Sequence, residues 1–73
     1  MKNYKDKMTG LRAAIFDAKL TQAQLAAEAG VTENSVSLAA SGRMTLGTQS
    51  GEKIREALAR RGVVVTLDVA RGL

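Results

Sequence analysis

Apolar residues recur at helical intervals along most of this chain and switch to alternation near its end. From Lys2 to Lys19, Tyr4, Met8, Leu11, Ile15 and Ala18 fall at three- and four-residue steps, the period that lines one face of a helix. Asn3 suits an N-cap with Asp6 at the third helical position. Gly10 sits in mid-pattern and costs about 1 kcal/mol against alanine, so the opening turns are the weak part of this helix.

The next two helices announce their own starts. Thr21-Gln22-Ala23-Gln24 reads as a capping box, and Leu20 is placed to staple onto Leu25. That helix closes at Gly30, where a left-handed backbone is needed to turn the chain. Thr32 caps the third helix, with Val31 and Val36 as its staple pair, and Ser41-Gly42 ends it. Arg43 to Gly47 reads as a loop. A fourth helix is predicted at about Thr48 to Arg61, from Ile54, Ala57 and Leu58 at helical spacing and Glu56-Arg60 as an i, i+4 ion pair, with Gly62 closing it.

Beyond Gly62 the period becomes two. Val63-Val64-Val65-Thr66-Leu67-Asp68-Val69 is dense in β-branched residues and places Val63, Val65, Leu67 and Val69 on one face, the pattern of a strand. No second strand is legible, and a lone strand leaves its backbone groups unpaired. The simplest partner is the same strand of a second copy across a two-fold axis; the alternatives are a loose end or a strand packed on its own helices. The expected fold is therefore mainly α. It is one small four-helix domain over residues 1–73, with a helix-turn-helix at 21–41. A C-terminal β-strand at 63–69 pairs antiparallel across a dimer.

Composition narrows the chemistry. The 73 residues hold no cysteine and no histidine, which removes disulfides, thiolate sites, the commonest general base and the commonest metal ligand. Lys and Arg total 11 against 7 Asp and Glu, a net charge of +4 that suits an anionic partner such as nucleic acid and also serves solubility. No apolar run approaches the roughly 20 residues that span a bilayer, and MKNYKDKM has no signal-peptide apolar region, so a cytoplasmic protein without membrane attachment is expected. Gly47-Thr48-Gln49-Ser50-Gly51-Glu52-Lys53 lacks the Gly-Lys-Ser/Thr ending of a phosphate loop. No nucleophile has a base beside it, and neither enzyme activity nor a cofactor, metal or small-molecule ligand is expected.

Two short helices joined by a three-residue turn containing glycine have helix-turn-helix geometry, with Ala26 and Ala29 small enough for a close crossing. The polar string Thr32-Glu33-Asn34-Ser35 then falls at the N-terminal end of the second helix of the pair, the end that meets base edges when such a helix enters a major groove. Gln22, Leu25, Ala26, Gly30, Val31 and Val36 together resemble the Gln-x-x-Leu-Ala-x-x-x-Gly-Val-x-x-x-x-Val pattern of the Cro/phage-repressor (Xre-type) helix-turn-helix family. The likeness runs from about Leu11 through Ser41-Gly42 and on to the Lys53-Ile54-Arg55-Glu56-Ala57-Leu58 helix.

That resemblance implies a dimeric, sequence-specific repressor acting on a double-stranded DNA operator and regulating its own expression. It implies base-facing roles for Thr32, Glu33, Asn34 and Ser37, and phosphate contacts for Gln22, Ser35 and Arg43. Two departures stand out: the C-terminal strand lies outside the five-helix version of the fold, and Leu38 stands where many relatives carry a polar or basic residue. Side-chain chemistry agrees for two positions, since Asn34 can pair bidentately with adenine and Glu33 can accept from cytosine N4. Affinity has to come from cations. Arg43 and then Lys53 are the best placed, and Lys2, Lys5 and Lys7 form either a basic arm or a solvated charge run. With only Tyr4 and Phe16 as aromatics, base stacking on single strands is disfavoured. The competing expectation is a protein-interaction module of the same fold, an antitoxin or anti-repressor.

Overall fold

A computed structural model describes residues 10–73. Asn3, Tyr4, Asp6, Met8 and the three N-terminal lysines lie outside the described residues. Those described form five helices: α1 (Gly10–Asp17), α2 (Gln22–Ala29), α3 (Glu33–Ala40), α4 (Thr48–Arg60) and α5 (Leu67–Ala70).

Local chemistry sets most boundaries. Thr21 and Gln24 exchange side-chain hydrogen bonds with each other's backbone N–H at 2.9 and 3.0 Å, the complete capping box at the head of α2. Thr32 caps α3 by accepting from Ser35 N–H at 3.1 Å. At Gly30, φ is 74°, and both Gly30 N–H and Val31 N–H donate to the carbonyl of Ala26, which closes α2 and turns the chain. The same closure ends α1 without a glycine: Lys19 takes φ 58°, with Leu20 N–H donating to Ile15 O at 3.3 Å. A β-carbon in that region costs roughly 1 kcal/mol, which the bonds around it offset.

The core lies where the helices converge. Leu11, Leu25, Val36, Ile54 and Leu58 are fully enclosed, with Ala14, Ile15, Ala26, Ala29, Ala39, Ala40, Ala57 and Ala70 between them. Alanine at the crossings lets α2 approach both α3 and α4 closely, as expected for Ala26 and Ala29. No buried side-chain nitrogen or oxygen among the described residues lacks a hydrogen-bond partner. None of the helices is long and apolar enough to cross a membrane.

The C-terminal segment differs from the strand expected at 63–69. Among the described residues there is no strand; residues 63–66 carry no regular secondary structure, Val63 N–H donates to Leu58 O at 3.0 Å instead of to a strand, and Leu67–Ala70 is helical. The face assigned to dimerisation divides accordingly. Val63 and Val65 pack on the chain's own core while Val64 points out, 88% exposed. Leu67 and Val69, now on α5, lie against glycines: a β-carbon on Gly51 would sit 3.1 Å from Leu67 Cδ1, and one on Gly10 would sit 3.2 Å from Val69 Cγ1. The physical reason is local. Thr66 Oγ1 accepts from Val69 N–H at 3.2 Å and Asp68 sits in the first turn, so a helix start wins over β-propensity that has no ladder to join.

Candidate nucleic-acid interface

α3 has two unlike faces. Val36, Ala39 and Ala40 are buried and fix the helix to α2 and α1, while Glu33, Asn34 and Ser37 line a shallow depression on the opposite side. Positions 33, 34 and 37 share one side because residues three and four apart are neighbours on a helix. Leu38, four residues after Asn34, borders this row and is half-buried. Three of the four residues expected to face bases are thus brought together.

The fourth, Thr32, is occupied differently. Its hydroxyl oxygen accepts from Ser35 N–H, and its proton is donated to Ser35 Oγ at 2.8 Å. The hydroxyl is committed to the cap and has no proton left for a base edge. Ser35 Oγ is the acceptor in that bond and keeps its own proton to donate, which suits an anionic oxygen.

The expected phosphate-binding residues are more dispersed. Gln22 is the first residue of α2, half-buried, beside the unpaired amides that open any helix. Arg43 is exposed just beyond Gly42, which carries φ 78° and ends α3. Lys53 is exposed on α4, but α4 packs chiefly against α2 and α5, so helix packing does not bring it to the α3 row.

Ion pairs sort the remaining cations. Arg55 is held by Glu52, with Nε donating at 2.8 Å, and Arg61 forks onto Glu28, tying the end of α4 to the end of α2. Glu56–Arg60, the pair expected on α4, is not among the ion pairs of the described residues. The Arg61 hydrogen bond holds the Glu28 carboxyl below its ordinary value, against a smaller opposing effect of burial, and Glu28 in turn raises the Arg61 guanidinium. Lys19, Arg43, Lys53 and Arg60 carry no ion pair among the described residues. No cluster of metal-binding side chains occurs there either.

Two features escaped the sequence. Arg61–Glu28 joins residues 33 positions apart, and Arg71 Nε donates to Leu46 O at 2.8 Å across 25 positions. Nothing local marks either contact, since each joins segments that meet only once the helices have packed.

Against known protein families, curated proteins and solved structures, the chain matches none.

Proposed function

We propose that this chain is a sequence-specific binder of double-stranded DNA that places α3 in the major groove and acts as a transcriptional repressor. The observation that carries the reading is the outer row of exposed Glu33 and Asn34 and half-buried Ser37 on a helix anchored from behind by Val36, Ala39 and Ala40. Asn34 reads adenine through paired hydrogen bonds, Glu33 accepts from a cytosine amino group, and Ser37 contacts either strand edge. Ser35 and Gln22 donate to the backbone phosphates, and Arg43, with Lys53 as a second cation, supplies the charge that Glu33 opposes. Five helices in succession also support the likeness to Cro/phage-repressor regulators, since α5 replaces the strand that departed from their five-helix form. Two copies occupy a pseudo-palindromic operator whose half-sites lie about one helical turn, roughly 10 base pairs, apart.

The test is titration of labelled duplex at several salt concentrations. Retention should fall steeply as salt rises, and Arg43→Ala should weaken all sequences alike while lowering the salt slope by about one unit. Retention that is absent at low salt refutes the reading.

A second reading is a protein-interaction module. It is favoured by α3 carrying Glu33 and no cation, and by the apolar groove of about 340 Å³ between α1 and residues 63–69, beside the exposed Val64. A salt-insensitive protein complex with no DNA retention would select it.

A further inference from the structure

The loop from Arg43 to Gly47 joins α3 to α4 without secondary structure of its own. Its first residue is tied back to α3, where Arg43 N–H donates to Leu38 O at 2.9 Å, and its far end is held from outside by the segment after α5. Leu46 N–H donates to Arg71 O at 2.8 Å, and Arg71 Nε returns a bond to Leu46 O at 2.8 Å, so one residue satisfies both backbone groups of Leu46. The Arg71 stem crosses α4 at its one buried glycine, where a β-carbon on Gly51 would meet Arg71 Cγ at 2.5 Å. The next residue, Gly72, takes φ 95° and lies so close to the end of α3 and the start of the loop that a β-carbon there would fall 2.9 Å from Ala39 O and 3.1 Å from Met44 O.

We propose that Arg71 is a positioning residue: it fixes the 43–47 loop and thereby presents Arg43, three residues before Leu46, to a DNA phosphate. The second half of this inference rests on the DNA-binding reading above; the first does not. A charged donor makes a hydrogen bond about twice as strong as a neutral one, and a loop ordered in advance spares the complex the entropy of ordering it. Arg71 touches no phosphate itself. It acts through Leu46.

Two measurements on the whole chain separate the halves. Arg71→Met keeps the aliphatic stem over Gly51 and removes the donor. Amide hydrogen exchange at Leu46 should accelerate about ten-fold while Val36 and Leu58 amides keep their protection, and Arg71→Lys should fall between. Unchanged exchange at Leu46 overturns the clamp whether or not the protein binds DNA. If Arg71→Met does not fold, Arg71→Lys against wild type carries the same comparison. For the second half, duplex affinity is measured in a cycle with Arg43→Ala. Arg71→Met should weaken binding several-fold in the wild-type background and much less once Arg43 is gone. Equal losses in both backgrounds overturn the link to Arg43. Wild-type protein that binds no duplex at low salt refutes the DNA-binding reading and with it the role assigned to Arg43, while the exchange result still decides the clamp.

Discussion

Gly51→Ala should destabilise this protein, against the usual rule for a helix interior. Alanine in place of glycine inside a helix gains about 1 kcal/mol from propensity alone. Gly51 is buried in α4, and its new methyl would lie 2.5 Å from Arg71 Cγ and 3.1 Å from Leu67 Cδ1. Arg71 cannot simply swing aside, because its carbonyl and its Nε are both bonded to Leu46. Forcing extra volume into such a contact costs about 1–3 kcal/mol. The net effect is then a loss of up to about 2 kcal/mol, and at about 4–8 °C per kcal/mol for a domain of this size the melting temperature falls measurably. Thermal melts followed by circular dichroism of four proteins test this: wild type, Gly51→Ala, Arg71→Ala and the double variant. With the Arg71 stem removed, most of the clash disappears, and Gly51→Ala should become neutral or stabilising. A coupling of at least about 1 kcal/mol is expected. If Gly51→Ala stabilises equally in both backgrounds, α5 does not seat on α4 as described.

Three further outcomes follow from single contacts. Gly30→Ala should cost about 1 kcal/mol by chemical denaturation; nothing lies within 4 Å of the added carbon, so the loss is purely conformational and Gly30→Asn should recover part of it. Thr66→Ala removes the α5 cap and should cost about 1 kcal/mol, with faster amide exchange at Val69 and little change at Leu25. The lowered Glu28 carboxyl contributes stability that is present above its ordinary pKa of 4.5 and lost as pH falls through the lower folded value; Glu28→Gln should flatten that acid limb of the stability curve and leave other regions of the pH profile unchanged.

The legible parts of this fold are those decided within four or five residues. Thr21-x-x-Gln24, Thr32 and the glycines at 30, 42 and 62 mark the ends of α2, α3 and α4, and each device operates on its immediate neighbours. The row Glu33, Asn34, Ser37 was readable for the same reason, since one cap and one buried valine set which way α3 turns. Segment 63–69 is ambiguous in sequence because its four valines favour a strand while Thr66 followed by Asp68 is a helix start. The in-and-out alternation itself holds from Val63 to Val69, with Val64, Thr66 and Asp68 exposed and the residues between them half-buried; what differs is the backbone, helical from Leu67 and, among the described residues, unpaired with any strand. What the segment pairs with is decided by Gly10 and Gly51, which are distant in sequence and offer no local pattern. Arg71 on Leu46 and Arg61 on Glu28 belong to the same class of contact, formed only once the helices have packed.

The proposed reading of duplex DNA by the outer row of α3 is decided by selection from a random duplex pool. Wild-type protein should enrich a short motif, and Asn34→Ala should enrich the same motif with one base position relaxed, a discrimination of about 1–3 kcal/mol lost at that position alone. A pool that stays random with wild type refutes sequence-specific binding, and a motif that Asn34→Ala reproduces at every position refutes readout by Asn34.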